Sequence, residues 1–300
     1  MRIGTHGRLF NPPASAPAVT RILDRIRAVG ATAVVERTLA ERLTEAGFPL
    51  HADVQVMGYA EGSELDLLIS LGGDGSFLDT VAFVGRSGIP VLGINLGRLG
   101  FLSNTRASDV DATLAAFKNG HYDIEDRGLL ALSGCSDFGE ENTALNEVSL
   151  HKRDSATMMA IHAYLDGRFM NTYWADGLII ATPTGSTAYS LSCGGPLLDP
   201  SSDAMVVTPI APHNLNVRPF VVPGNSHIRL VAEARGDKYL VNLDSRSTTL
   251  DGPTELLVRR ADHRVRLVRL HGQDFLDTLR TKLAWGLDVR SSPPPPGATD

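Results

Sequence analysis

The segment of this chain best suited to chemistry is a glycine-rich turn that contains one carboxylate. Gly72-Gly73-Asp74-Gly75-Ser76 follows the apolar run Leu65–Leu71. Glycine lets the main chain turn tightly and present backbone N–H groups to a phosphate. Since the charge of Asp74 does not favour an anion, we expect this carboxylate to bind a metal, accept a proton or cap a helix. Phosphoryl transfer uses the first two of these roles. The predicted phosphate-binding residues are Gly72, Gly73, Gly75 and Ser76.

The same turn is also typical of a plain strand-to-helix junction in which Asp74 is the N-cap. A cap needs only one Ser, Asp or Asn. The doubled glycine before Asp74 therefore favours ligand binding over capping alone.

A second candidate is the adjacent amide and carboxylate Asn146-Glu147, which precedes the strand-like residues Val148–Leu150. Both side chains present acceptors, so the pair is able to hold the two hydroxyls of a ribose. The alternative is an exposed turn before a strand, and the residues alone favour that alternative.

The third candidate is the long segment Asp176–Pro196, in which a buried strand leads into small hydroxyl residues, two glycines and a proline. Small residues form a surface that a flat ring approaches closely, and hydroxyl groups offer donors to phosphates and acceptors to an adenine amino group. A helix start capped by Thr184 or Ser186 is the simpler interpretation, but it does not account for so long a run. The scattered histidines lack metal-ligand spacing, and Cys193 has no visible base beside it.

The elements that position these residues change character along the chain. Strands at residues 2–4, 33–35, 67–71 and 90–95 alternate with helices, which predicts a mainly parallel sheet covered by helices. We expect a Gly- and Pro-rich loop from the first strand to near Pro17. Ligands of such sheets bind at the carboxyl ends of the strands, where the glycine turn and a second glycine segment, residues 97–102, both fall.

From about residue 125 the pattern predicts consecutive strands. Three hairpins are expected. The first turns at Asp166-Gly167, the second pairs His227–Ala234 with Tyr239–Leu243, and the third pairs Leu256–Arg260 with Arg264–Leu270. The predicted organisation is an α/β nucleotide-binding domain at 1–124, a β-rich dinucleotide-binding domain at 125–272, a helix at 273–290 that packs back on the first domain, and a disordered tail at 291–300.

Composition narrows the class of protein. The chain has 300 residues, 43% of them apolar, a formal charge of −6 and two cysteines. These values indicate a globular protein of the reducing cytoplasm without a disulfide framework, and they give no electrostatic footprint for nucleic acid. A membrane span is not expected, because no run of about 18 apolar residues is present.

Together these segments resemble the NAD kinase family, whose members phosphorylate NAD to NADP. Gly72-Gly73-Asp74-Gly75 is similar to its glycine–aspartate motif, Asn146-Glu147 to its Asn-Glu pair, and Asp176–Pro196 to its longest signature. The first motif also occurs in lipid kinases and phosphofructokinases, whereas the Asp176–Pro196 signature makes the match specific. Residues 95–102 and 275–288 are similar too, so the resemblance covers nearly the whole chain except the proline tail.

The resemblance implies roles for individual residues. Asp74 would accept the proton of the adenosine ribose 2′-hydroxyl, Gly75 would hold phosphates, and Asp176 would face the nicotinamide end, often from a neighbouring subunit. The further NAD-binding residues that it implies are Asn146, Glu147, Thr187, Ala188, Tyr189, Ser190, Leu191, Ser192, Ala211 and Arg246. Three positions depart from relatives: Asp79 replaces a common basic residue, Trp174 an arginine of some members, and Arg246 a common glutamine.

The implied reaction is transfer of the γ-phosphoryl group of ATP to NAD. No Walker-type Gly-Lys-Ser is present, so we expect Mg²⁺ or another divalent cation to assist, without a dedicated protein metal site. Polyphosphate as donor stays open, and a homodimer or homotetramer is expected. The alternatives are a lipid-type kinase that shares the glycine–aspartate motif and a non-catalytic NAD-binding regulator. A Rossmann dehydrogenase is disfavoured, because no Gly-x-Gly-x-x-Gly follows the first strand.

Overall fold

The computed structural model of the chain describes residues 1–8, 12–58, 64–97, 99–139, 142–153, 158–234 and 238–286. The predicted disordered tail at 291–300 lies outside this range. The described α-helices are α1 Pro12–Ala28, α2 Arg37–Glu45, α3 Asp74–Val84, α4 Val110–Lys118, α5 Tyr189–Ser192 and α6 Phe275–Leu283.

The strands of the first half are β1 Arg2–Gly7, β2 Thr32–Glu36, β3 Gln55–Met57, β4 Leu67–Leu71, β5 Val91–Asn95 and β6 Thr105–Arg106. Those that follow are β7 Tyr122–Ser133, β8 Thr143–Ala144, β9 Glu147–Lys152, β10 Met159–Leu165, β11 Arg168–Ala175, β12 Gly177–Ala181, β13 Ala204–Ile210, β14 Phe220–Pro223, β15 Ile228–Ala234, β16 Lys238–Leu243, β17 Arg246–Asp251 and β18 Thr254–Leu270.

The first half forms the predicted parallel sheet, in the order β3-β2-β1-β4-β5. Every residue of β4 and β5 is buried, because helices cover both faces of a parallel sheet. Both strands end at the same edge, and the turn that contains Asp74 follows β4 there. The four predicted strands of this half are confirmed in their order, whereas β3 and α4 were not predicted.

The second half is β-rich, as predicted, and its strands build two layers. One layer extends the first sheet through β18, which pairs with β5, β7 and β15, and ends in β10 and β11. The other is an antiparallel sheet in the order β14-β13-β12-β9-β16-β17. A core of buried residues from both layers, among them Ile161, Leu178 and Val241, packs between them. The proposed domain boundaries stay a prediction, since one sheet runs through both halves.

The expected loop is wrong for residues 12–17, because α1 begins at Pro12 and includes Pro17; residues 9–11 lie outside the described part of the chain. Proline is well tolerated in the first helical turn, where the N–H groups have no intrahelical partner. Pro17 removes one later hydrogen bond. Burial of the apolar face, with Val19, Ile22 and Ile26 all at 0% exposure, outweighs that loss.

The second predicted hairpin is also wrong. β15 pairs with β10 and β18, whereas β16 pairs with β9 and β17, so these consecutive strands belong to opposite layers. Their alternating apolar residues face the same core from its two sides; Leu230 and Val241 are examples. The expected turn at 235–237 lies outside the described residues. The first hairpin, at Asp166-Gly167, is confirmed.

The third predicted hairpin is one continuous strand, β18, which runs beside β7 with an irregularity in register between Arg260 and Arg264. A tight hairpin needs residues with positive φ. None of Ala261, Asp262 and His263 has one. The interruption is therefore a bulge in a long strand rather than a chain reversal.

Helix α6 lies within the predicted range 273–290 but ends at Leu283, where Ala284 adopts a left-handed conformation; Leu279 is buried. Phe275 and Thr278 line a small cavity of about 40 Å³ together with Phe77 and Phe101 from the first half of the chain. This lining is compatible with the predicted return of the helix to the first domain, which stays a prediction.

Candidate active site

Asp74 stands at the start of α3, directly after the turn that ends β4. Gly73, in an extended conformation, is the N-cap, and Asp74 is the first helical residue. The alternative in which Asp74 caps the helix is therefore wrong. A carboxylate in the first turn is favoured by the helix dipole, and its oxygens are available to other partners.

The partners of Asp74 are backbone N–H groups of the second glycine segment. Phe101 donates to Oδ2 at 2.8 Å, while Leu102 and Ser103 donate to Oδ1 at 2.9 and 3.0 Å. An ionised carboxylate has about four acceptor positions. These three donors fix the orientation of the carboxylate, and they leave one acceptor position, on Oδ2.

Gly100 makes this arrangement sterically possible. A Cβ atom at this position would lie 1.8 Å from Oδ1 of Asp74. The turn is held by the Gly100 N–H, which donates to the carbonyl of Ser103 at 3.0 Å. The sequence shows that this segment is glycine-rich, but its residue types do not reveal that its backbone N–H groups bind the Asp74 carboxylate.

Gly75 and Ser76 face different surroundings. Apart from its chain neighbours and the backbone of its own helix, no atom of the described residues lies within 4 Å of a Cβ built on Gly75, so this residue borders open space. Ser76 is 1% exposed, and its Oγ lies close beneath Gly72, 2.3 Å from a Cβ built there. The backbone at Gly75 is therefore accessible to a phosphate, whereas the Ser76 hydroxyl is covered by the turn.

Asn146-Glu147 is not an exposed turn. Asn146 is 7% exposed and Glu147 is the first residue of β9. The carbonyl of Asn146 accepts the Thr182 N–H at 2.8 Å, and a Cβ on Gly185 would lie 2.1 Å from the same oxygen. Glycine at 185 thus lets the small-residue segment pack directly on Asn146, and the structure brings these two sequence motifs together.

Asp244, which was not identified from the sequence, binds the main chain at Asn146-Glu147. Its carboxylate accepts the N–H groups of Leu145 at 2.7 Å, Asn146 at 2.8 Å and Glu147 at 3.1 Å. Asp244 has a φ of +53° in the turn between β16 and β17, and Asp is among the residues that tolerate this conformation. An Asp-Ser pair between two strand-like runs was the available signal for this turn.

Desolvation perturbs both carboxyl groups here. Burial, and then the charge of Asp244, raises the pKa of Glu147 to about 8. Burial also raises the pKa of Asp244, while the three backbone N–H donors and Arg246 oppose the rise. The Arg246 guanidinium donates to the carbonyl of Thr143, close to the Asn-Glu pair.

In the small-residue segment, most hydroxyls hold the fold. The Thr182 hydroxyl donates to the Leu145 carbonyl, Ser186 bonds the main chain at Pro183 and Leu198, and Ser190 bonds Thr208. Thr187 donates to the Thr184 carbonyl. Tyr189 is 39% exposed. Ser192 is exposed, while Ala188 and Leu191 are half-buried. The exposed side of this segment is available to a planar ligand.

Tyr189 and Asp176 lie in the same region as Glu147. Burial is the main cause that raises the pKa of Tyr189, and the charges of Asp176 and Glu147 contribute. The Tyr189 ring stacks on His151 with centroids 5.5 Å apart. Asp176 forms an ion pair with Lys152 at 2.6 Å. Ala211, exposed and with a φ of +43°, follows Ile210, whose carbonyl accepts the Asp176 N–H.

Helix α3 connects Asp74 to the residues around Asn146-Glu147. Phe77 of α3 and Leu145 belong to one cluster of buried apolar residues. Asp79, which departs from relatives, accepts the Ser245 hydroxyl at 2.9 Å and pairs with Arg8 at 2.6 Å. The acidic residue at 79 thus joins α3 to the turn that holds Asn146-Glu147. Trp174, another departure, is 48% exposed.

Among the described residues, no group of three or more His, Cys, Asp or Glu side chains is arranged to hold a metal ion. Within the same residues, no helix has the length and apolar character needed to cross a bilayer.

Comparisons with known proteins agree with this architecture. A family model described as the ATP-NAD kinase N-terminal domain matches residues 16–122, and the ATP-NAD kinase C-terminal domain matches residues 145–270. An NAD kinase of Flavobacterium psychrophilum is 39% identical over 97% of this chain and 100% of its own. One of Cytophaga hutchinsonii is 47% identical over 75% of this chain and 78% of its own.

Two solved structures share the fold at 24% identity. Yeast NADH kinase complexed with NADH gives a TM-score of 0.85 over 98% of this chain and 90% of the yeast chain. An NAD kinase from Archaeoglobus fulgidus in complex with ATP gives 0.73 over 95% of this chain and 99% of the archaeal chain.

Proposed function

This chain belongs to the NAD kinase family, and from that premise we propose that it transfers the γ-phosphoryl group of ATP to the 2′-hydroxyl of the adenosine ribose of NAD. The observation that carries the proposal is the geometry of Asp74. Three backbone N–H groups orient its carboxylate and leave one acceptor position on Oδ2. That position lies at the start of a helix, beside the open backbone of Gly75.

In this reaction Asp74 is the general base. Its Oδ2 accepts the hydroxyl proton as the 2′-oxygen bonds to the γ-phosphorus and the bond from that phosphorus to ADP breaks. ADP leaves with the bridging oxygen and the electron pair of that bond. A positioned base of this kind contributes roughly 10²–10⁴ in rate, and the three N–H donors keep the base in place without substrate.

The N-terminus of α3 supports phosphate binding. Backbone N–H groups in the first turn of a helix have no intrahelical acceptor and attract anions. The predicted phosphate contacts at Gly72, Gly73 and Gly75 surround this helix start. ATP would enter as its Mg²⁺ complex, in which the cation neutralises phosphate charge. Mg²⁺ commonly relies on substrate phosphates and water, which fits the single carboxylate here.

The dinucleotide would occupy the region between Asp74 and the segment around Tyr189. Asn146 and Glu147 would hold a ribose, and Asp176 would lie towards the nicotinamide. The other predicted contacts are Thr187, Ala188, Tyr189, Ser190, Leu191, Ser192, Ala211 and Arg246. Since Ser190 is fully buried and bonded to Thr208, its contribution would be to shape the segment. A cytoplasmic location and a homodimeric or homotetrameric assembly remain predictions.

A coupled assay tests the proposal. Purified protein is incubated with NAD, ATP and Mg²⁺, and an NADP-specific dehydrogenase detects the product. Parallel reactions replace ATP with polyphosphate, or NAD with diacylglycerol. We expect NADP only where NAD and a phosphate donor are both present. Phosphorylated lipid would favour the lipid-kinase alternative, and NAD binding without ATP consumption would favour the regulator.

Gly75→Ala separates ligand binding from folding. Gly75 lies in α3 without a positive φ, and its Cβ would meet no atom of the described residues within 4 Å beyond its chain neighbours and its own helix backbone. Alanine is the better helix former, by about 1 kcal/mol. We therefore expect Tm to stay constant or rise. We expect KM for ATP or NAD to increase about tenfold, the effect of a steric conflict of about 1.4 kcal/mol with bound ligand. Unchanged KM values for both substrates would exclude close ligand approach at Gly75.

A further inference from the structure

Two carboxyl groups of the proposed dinucleotide site, those of Glu147 and Asp244, face unequal surroundings. Asp244 accepts three backbone N–H groups. Oε2 of Glu147 is buried and has no hydrogen-bond partner within the described part of the chain. A buried polar atom without a partner is rare, and it calls for an explanation in terms of strain, chemistry or a ligand.

The unequal partners decide which group carries the charge. Burial raises the pKa of Asp244, but its three backbone N–H donors and Arg246 favour its ionised form and oppose that rise. No donor among the described residues reaches Oε2 of Glu147, and burial, followed by the charge of Asp244, opposes the ionisation of this carboxyl group. Two desolvated carboxyl groups that interact are not both ionised at neutral pH. Asp244 is therefore the member whose surroundings stabilise the ionised form, and Glu147, with a pKa of about 8, is the member that is protonated at neutral pH.

The other titratable groups near Glu147 do not reverse this assignment. The charge of Glu147 contributes to the raised pKa values of Tyr189 and Cys193, for which burial is the largest cause. Both are neutral at pH 7, because burial raises each pKa above its ordinary value. Asp176 is engaged by Lys152.

We propose that Asp244 is a positioning residue for the dinucleotide: its carboxylate fixes the main chain at residues 145–147 and keeps the Glu147 carboxyl protonated, so that Glu147 donates a hydrogen bond to an oxygen of the ligand. This proposal rests on the proposed function in one respect, that the ligand is NAD. It changes the role that the sequence indicates for Glu147, from an acceptor of ribose hydroxyls to a donor.

The chemistry of the ligand favours a neutral donor. NAD carries an anionic pyrophosphate and many oxygen acceptors, and an ionised glutamate in a desolvated site would repel the former. A protonated carboxyl instead offers its O–H to a ligand oxygen. Ketosteroid isomerase uses a carboxylic acid in the same way, held neutral at pH 7 by its apolar site.

The proposal predicts the sign of a pH dependence. Because the raised pKa of Glu147 is about 8, the donor is present below that pH and is lost as the pH rises through it. NAD affinity is therefore expected to be constant at lower pH and to fall above about pH 8. At one unit above the pKa about nine tenths of the donor is lost, so an ionised form that does not bind would raise Kd about tenfold.

The experiment measures Kd for NAD by calorimetry, without ATP, from about two pH units below the Glu147 pKa to about two above it. The variants are Glu147→Gln, Asp244→Asn and Glu45→Gln. Glu45 is an exposed residue of α2, so its variant is a matched control that should retain the wild-type profile. Glutamine at 147 keeps a donor and has no charge. It is expected to bind NAD within a few-fold of wild type at neutral pH and to show no alkaline loss.

Asp244→Asn removes the charge that contributes to the raised pKa of Glu147, so its affinity should begin to fall at a lower pH. Burial, the larger cause, remains. Circular dichroism checks that the Asp244→Asn variant folds. If this variant does not fold, the pH profile of Glu147→Gln still tests the proposal. A wild-type NAD affinity that does not change with pH, or an unchanged alkaline loss of affinity in Glu147→Gln, would overturn the proposal. NADP formation by the wild type would still support the kinase activity in that case. Absence of NADP formation is a separate result that concerns the proposed function.

Discussion

Replacing Asp74 with asparagine is expected to lower kcat for NADP formation by about 10²–10⁴, because the amide does not accept the hydroxyl proton. Kd for NAD is expected to stay nearly unchanged. The substitution is almost isosteric. Oδ1 keeps its bonds from Leu102 and Ser103, and only the N–H of Phe101 loses its acceptor. An unsatisfied donor costs about 1–3 kcal/mol, so stability should fall moderately while the fold persists.

The control for this variant is Asp111→Asn. Asp111 is also a first-turn aspartate, on α4, and its ion pair with Arg25 is exposed. Exposed pairs contribute at most about 1 kcal/mol, so this variant should retain wild-type kinetics. Steady-state kinetics and NAD titration are measured on both proteins. Turnover near the wild-type rate in Asp74→Asn would remove Asp74 from the role of base.

Gly100→Ala is expected to have the second large effect. The new methyl group would lie 1.8 Å from Oδ1 of Asp74, so the carboxylate has to move and its backbone donors with it. A displacement of about 1 Å in an active site costs roughly 10² in rate, and overpacking costs about 1–3 kcal/mol in stability. We therefore expect a loss of kcat of about 10² together with a lower Tm.

Gly97→Ala, in the same segment, is the matched control, since its Cβ would lie 3.8 Å from the nearest atom, Oδ1 of Asn95. It should keep both kcat and Tm close to wild type. If Gly100→Ala loses stability but keeps full turnover, the backbone hydrogen bonds to Asp74 have no catalytic consequence. Equal losses in the two variants would indicate a general effect on the segment.

The sequence predicted the first half of the fold well because its signals there are local. β4 and β5 are uniformly buried strands, and apolar runs of that length are easily recognised. The same approach failed for β15 and β16. A turn signal between two strands does not tell whether they pair with each other or join opposite sheets. Helix α4, with Val110, Leu114 and Phe117 buried at helical spacing, was missed although its pattern was present.

For the candidate site, the sequence predicted a set of side chains but gave no indication of the contacts that hold them. The donors to Asp74 are backbone N–H groups 27 to 29 residues away, and residue types carry no signal for them. Asp244 acts on residues 97 to 99 positions earlier in the chain. Such contacts depend on strand order and register, which local patterns do not specify.

The most direct test of the account is a crystal structure of the protein with NAD bound, in which the distance from Oδ2 of Asp74 to the 2′-oxygen of the adenosine ribose is measured. We predict a separation of about 2.6–3.2 Å, the reach of a general base, with the three backbone donors still on the carboxylate. A 2′-oxygen held beyond hydrogen-bond reach of Asp74, with the carboxylate still hydrogen-bonded to the backbone at 101–103, would contradict the role of Asp74 as general base.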